Sequence, residues 1–119
     1  MVPQVLVVDD DEAIRSLITE VLAEEGFAVA NAVNGRQALD RIAAQLPGLV
    51  LLDLQMPVMT GWETLAALQT AQVLVPVVLM SAGVRVQQEA ARHHAAGYLA
   101  KPFALDDLVA VVERFTQRQ

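Results

Sequence analysis

Three carboxylates and one ammonium stand at the ends of apolar runs in this chain. Asp9 and Asp10 follow Val5-Leu6-Val7-Val8, Asp53 follows Leu49-Val50-Leu51-Leu52, and Lys101, the only lysine, follows Tyr98-Leu99-Ala100. Runs of this kind read as buried parallel strands, and ligands of open α/β sheets collect outside the carboxyl ends of such strands. The four charges are therefore expected to converge on one edge. Carboxylates ~5 Å apart at an effective dielectric of ~20 repel by about 3 kcal/mol, so the pocket needs a proton, a cation or an electropositive neighbour. Hard oxygen ligands favour Mg2+, which keeps several waters and binds through one or two carboxylates plus phosphate oxygens. That leaves Asp53 free as a nucleophile, and an aspartate attacking a phosphoryl donor forms an aspartyl phosphate. Lys101 adds a second counter-charge. Ser81, one of two serines, ends the run from Val75 to Met80 and brings a hydroxyl within reach of a phosphoryl oxygen. Ser81-Ala82-Gly83 also reads as an ordinary turn.

The elements that must position these groups alternate along the chain. Strand-like runs lie near residues 4–9, 27–31, 48–53, 73–80 and 97–100. Between them the apolar period approaches 3.6. Ile14, Leu17, Ile18, Val21 and Leu22 form a first stripe stopped by Gly26. Ala38, Leu39, Ile42, Ala43 and Leu46 form a second, closed by Pro47. The third helix opens at Thr60-x-x-Glu63, a capping-box spacing. A weaker fourth spans roughly Arg85 to His94, and Leu105, Leu108, Val109, Val112 and Phe115 mark the last. Asn34-Gly35 is a hairpin signal, but the helical stripe behind it predicts a turn into the second helix. Asp11 directly precedes the first stripe and reads as its N-cap. Repeated βα units with short connections predict a doubly wound parallel sheet with helices on both faces.

The bulk properties narrow the class. The 119 residues fit one domain with its own core, which at 55% hydrophobic but 4% aromatic is aliphatic. No apolar run approaches the ~18 residues of a membrane span, and the start has no basic segment ahead of an apolar stretch. Absent cysteines exclude disulfides, thiolate metal sites and thiol catalysis. A net charge of −6 argues against direct nucleic-acid binding. These features predict a soluble, cytoplasmic domain.

Four segments together carry a family resemblance: Val5 to Asp10, Asp53-Leu54-Gln55-Met56-Pro57-Val58-Met59-Thr60-Gly61, Pro76 to Ala82, and Gly97-Tyr98-Leu99-Ala100-Lys101-Pro102-Phe103. In order and spacing the chain resembles a receiver domain of two-component response regulators, of the chemotaxis-regulator type, from its first strand through its fifth helix. The resemblance implies a flavodoxin-like sheet of order 2-1-3-4-5 with five helices, and a single receiver domain over residues 1–119 with no output domain. It implies that Asp53 is the phosphoacceptor, that Asp10 binds Mg2+ directly and Asp9 through water, and that Gln55 supplies a backbone carbonyl. Ser81 matches the switch hydroxyl, Tyr98 the switch aromatic, and Lys101 the partner of a phosphoryl oxygen before a cis proline bond. The implied donor is a sensor histidine kinase or histidine phosphotransfer protein. The implied output surface is the fourth helix, fifth strand and fifth helix, which also serves homodimers. Self-catalysed phosphotransfer and autodephosphorylation follow, and such a domain is a switch rather than a metabolic enzyme. Two positions depart from the pattern. The stretch from Ser81 to Lys101 is about two residues shorter than usual in that family. The family's common glycine before the switch aromatic is His94 here, a residue that tolerates left-handed backbone better than most. Gln55 and Gly83 lie where side chains tune the phosphoryl lifetime.

Two other readings compete. A phosphohydrolase of the haloacid-dehalogenase type would use Asp9 as nucleophile in an Asp-x-Asp pattern with Asp11, but leaves the segment from Asp53 to Pro57 unexplained. A receiver-like scaffold acting by contacts alone would ordinarily lack an acid or the lysine, and none is missing. His93 and His94 are adjacent, so they do not share a helical face and suit a helix end better than a metal pair. Trp62 reads as packing near the third helix start, and Met56, Met59 and Met80 as core filler.

Overall fold

A computed structural model of the chain describes residues 4–82 and 86–116. Strands and helices alternate from end to end: β1 (Gln4–Val8), α1 (Glu12–Glu24), β2 (Ala28–Ala32), α2 (Gly35–Ala44), β3 (Leu49–Asp53), α3 (Gly61–Thr70), β4 (Val77–Ser81), α4 (Val86–Arg92), β5 (Gly97–Ala100) and α5 (Leu105–Thr116). The sheet has five strands in the order β2-β1-β3-β4-β5, and every pairing is parallel.

Alternation along the strands divides the core between two faces. Val5, Val7, Leu49 and Leu51 pack with Ile18 and Leu22 of α1 and with Leu108 and Val112 of α5. Leu6, Val8, Val50 and Leu52 pack on the other side with Ile42 of α2, Leu65 and Leu68 of α3 and Ala90 of α4. Because both faces are covered, the inner strands read as unbroken apolar runs.

The helix starts follow their local chemistry. The Asp11 carboxylate accepts from the N–H groups of Ala13 and Ile14, and Asn34 caps α2 through the N–H of Gln37. At α3 the Thr60 hydroxyl accepts from the Glu63 N–H while the Glu63 carboxylate accepts from the Thr60 N–H, which holds that carboxyl below its ordinary range. Gly61 has no alternative here, since a Cβ would come within 2.5 Å of the Asp53 carbonyl oxygen. His94 takes a positive φ of 61° just beyond α4, where its N–H donates to the Ala91 carbonyl.

One expected element shifts. The run 73–80 does not form strand from its start: β4 begins at Val77. The Val73 N–H still donates to the Leu68 carbonyl at the end of α3, Gln72 has φ 58°, and Pro76 has no N–H for a ladder. Leu74 is 89% exposed, so residues 73–76 are a connection with apolar sides. The second helix likewise stops at Ala44, leaving Leu46 exposed beyond it. Arg85, the expected start of the fourth helix, and Gly83 lie outside the described residues.

Candidate functional site

Strand register brings the charged residues together. Val8 pairs with Leu52, so Asp9 falls level with Asp53; Asp53 pairs with Met80, and Ser81 with Ala100. Asp9, Asp53, Ser81 and Lys101 therefore sit in steps across four neighbouring strand ends. The crossovers from β1 and β3 leave in opposite directions, which opens the crevice at their carboxyl ends.

Lys101 joins the acids. Its Nζ lies 2.9 Å from Asp9 Oδ2 and 3.6 Å from Asp53 Oδ1, with 17% of the side chain exposed. Asp9 is fully buried (0%) and Asp53 nearly so (5%), while Asp10 is exposed. Burying carboxylates at this depth is tolerable only with partners. Asp9 Oδ1 accepts from the Asp11 N–H at 2.9 Å, and the Arg15 guanidinium donates to the Asp9 carbonyl at 2.9 Å. Asp53 Oδ1 accepts from the Gln55 N–H at 3.3 Å. Burial pushes the Asp53 carboxyl up to about 6, and the neighbouring Asp9 charge pushes the same way against Lys101 and the Gln55 N–H.

One carboxylate oxygen from each of Asp9, Asp10 and Asp53 lies within 4.8 Å of the other two. Hard oxygens grouped this closely, with like charges left over after a single lysine, suit a divalent cation such as Mg2+ or Ca2+. Ser81 is buried at the end of β4, and its carbonyl accepts from the Lys101 N–H at 2.8 Å. The bond between Lys101 and Pro102 is cis. Tyr98 stands on β5, 39% exposed.

Two participants escaped the sequence reading. Arg15 contacts the site through a backbone carbonyl, and the only sequence signal is its place one turn into α1, on the side facing the strand end. Trp62 packs at the start of α3 as expected, but the sequence did not show against what. Its ring meets His93 in a tilted contact, with centroids 4.4 Å apart and planes inclined by 36°, and Gln69 donates to the His93 carbonyl at 2.8 Å, so α3 grips the end of α4.

Among the described residues no helix is long and apolar enough to cross a membrane. Residues 5–113 match the family described as the response regulator receiver domain. The chain is 38% identical over 118 residues to the regulatory protein AtoC of Escherichia coli, a match covering 98% of this chain but 26% of that protein. Its match to the response regulator MprA of Mycolicibacterium vanbaalenii, 37% identical, covers 97% of this chain and 51% of that protein. With the sporulation initiation phosphotransferase F of Bacillus subtilis it shares 36% identity, over 94% of this chain and 92% of that one. Among solved structures, the receiver domain of NtrX from Brucella abortus has a TM-score of 0.88 at 31% identity, covering 97% of this chain and 99% of that chain. For the chemotaxis protein CheY4 of Vibrio cholerae the values are 0.86 and 30%, with the same coverage. The chain belongs to the response regulator receiver domain family of two-component signalling, in which a histidine kinase passes a phosphoryl group to an aspartate.

Proposed function

We propose that Asp53 is the phosphoacceptor of this receiver and that Asp9 and Asp10, with Asp53 and the Gln55 carbonyl, hold Mg2+. The observation that carries this reading is the ion-paired cluster of Asp9, Lys101 and Asp53 at the β1/β3 crevice. Bound there, Mg2+ supplies a counter-charge for the phosphoryl oxygens. With its carboxyl near 6, Asp53 is mainly ionised at neutral pH and ready as a nucleophile. Its oxygen bonds to phosphorus as the donor's P–N bond breaks, the electron pair leaving with the imidazole. Lys101, now beside both acids, turns to a phosphoryl oxygen, and the Ser81 hydroxyl donates to another. Movement of Ser81 is followed by Tyr98, which carries the change to the face of α4, β5 and α5. A hollow of about 730 Å3 bordered by Ala91, Tyr98, Val111 and Arg114 lies on that face. Its occupant is an output partner or a second copy of the chain.

The donor is a sensor histidine kinase or histidine phosphotransfer protein. An apolar hollow of about 340 Å3, lined by Ile14, Leu17, Pro102 and Phe103, opens beside Lys101 and suits a donor helix. The domain catalyses its own phosphotransfer and autodephosphorylation, works in the cytoplasm, and makes no direct nucleic-acid contact.

Incubation with Mg2+ and acetyl phosphate, read by intact mass, tests the assignment. One added phosphoryl group, dependent on Mg2+, base-labile and lost in Asp53→Asn, is expected. An adduct formed at the wild-type rate in Asp53→Asn overturns it. An adduct lost only in Asp9→Asn would establish the hydrolase reading instead.

A further inference from the structure

Asp9 is held at each of its polar groups. Its N–H donates to the Ala32 carbonyl, Oδ1 accepts from the Asp11 N–H, Oδ2 meets Lys101, and its carbonyl accepts from Arg15. Asp10 has a different situation. It is exposed and lies past the last residue of β1 and ahead of the Asp11 cap. Its course is set by the peptides on its two sides: the one to Asp11 is held through the Asp11 N–H on Asp9 Oδ1, and the one to Asp9 is a rigid plane bearing the Asp9 carbonyl. Whatever holds the carbonyl holds the plane, and with it the direction in which Asp10 leaves the strand. Arg15 is anchored one turn into α1, where its own N–H donates to the Asp11 carbonyl, and it reaches back with a charge-assisted bond.

We infer that Arg15 is a positioning residue for the cation site: by gripping the Asp9 carbonyl it fixes the peptide that aims the Asp10 carboxylate. The inference rests on the proposed binding of a divalent cation by Asp9, Asp10 and Asp53. Electrostatics alone makes the opposite prediction, which gives the test its sign. A fixed positive charge near a cation site opposes the ion, so deleting that charge should tighten binding. Loss of the group that orients a ligand should weaken it, typically by ~10–100-fold.

The probe is Mn2+ titrated into the metal-free protein, with free ion followed by electron paramagnetic resonance. Arg15→Met keeps the aliphatic stem and removes the donor, and is expected to weaken Mn2+ binding by about tenfold or more. Arg15→Lys keeps a charged donor and should fall between Arg15→Met and the wild type. Urea unfolding of the metal-free variants reads any purely structural role separately, and Arg15→Gln replaces Arg15→Met should the latter not fold. Binding by a folded Arg15→Met as tight as the wild type, or tighter, overturns the inference. Failure of the wild type to bind Mn2+ defeats the cation site itself, an outcome distinct from a wild type that binds and a variant that does not change.

Discussion

In β3 all five residues from Leu49 to Asp53 are buried, whereas in β5 only Leu99 is. The helices beside them differ in the same sense. Thirteen-residue α1 is capped by Asp11 and seats Ile18 and Leu22 in the core. Seven-residue α4 has Ala90 as its buried residue among the described side chains, and its far end is held by the ring contact of Trp62 with His93 and by Gln69. Asp53 thus ends the strand that is hardest to deform. The proposed output face includes an edge strand with one buried residue and a short helix with one among its described side chains. A nucleophile needs fixed surroundings, and a switch needs an element that a few kcal/mol can move. One sheet meets both demands by grading its burial from centre to edge.

Core truncation should expose this grading most strongly. Leu51→Ala, in the fully buried strand, is expected to lower stability by ~2–5 kcal/mol in urea unfolding. Tyr98→Ala, on β5, should cost under about 1 kcal/mol by the same measurement. Equal losses at the two positions would remove the contrast.

A smaller effect should come from the burial of the Asp53 carboxylate, helped by the neighbouring Asp9 charge. With a folded pKa of about 6 against an ordinary 3.8, Asp53 holds a proton in the folded state that the unfolded chain releases between those values. Stability therefore falls as pH rises through that window, and the penalty is complete above about 6. Asn cannot ionise, so Asp53→Asn should be more stable than the wild type by ~1–3 kcal/mol at pH 7.5 without divalent cations. The gain should nearly vanish near pH 4, and thermal melts at the two pH values in chelator would show it. A gain of equal size at both would place its cause outside the Asp53 charge.

The mildest change concerns the weakly held edge. His93→Ala should cost about 1 kcal/mol by removing the ring contact. It should also shift the emission of Trp62, the only tryptophan. Unchanged emission would mean that α4 is tethered elsewhere.

The same grading explains what could be read from the sequence. The sheet order followed from the family resemblance, but the convergence of Asp9, Asp53 and Lys101 was legible from strand logic alone. Each ends an apolar run, and a strand buried on both faces announces itself as such a run. The caps at Asp11, Asn34 and Thr60 were equally legible, because capping is a local exchange between a side chain and nearby N–H groups. The start of β4 was not. Val73, Leu74 and Val75 continue the apolar pattern; Pro76 was the one local sign against a strand there, and the closure of α3 shows that they lie outside the ladder. Contacts between distant residues left no trace either. Nothing in the positions of Trp62 and His93 links them until α3 and α4 are laid side by side. Arg15 looked like one more charge on an amphipathic helix until its guanidinium was found on the Asp9 carbonyl.

Lys101 is the chain's only lysine, and it lies between two carboxylates. A fluorescent ester, a surface-coupling chemistry or cyanate meets one side-chain amine in this sequence, beside the α-amine at the start of the chain. Coupling at Lys101 removes the counter-charge together with the amine, so every molecule labelled at that side chain has a disabled site. Turned around, the same singularity makes the rate of carbamylation at Lys101, read on its own peptide by mass, a report of how often the pocket stands open.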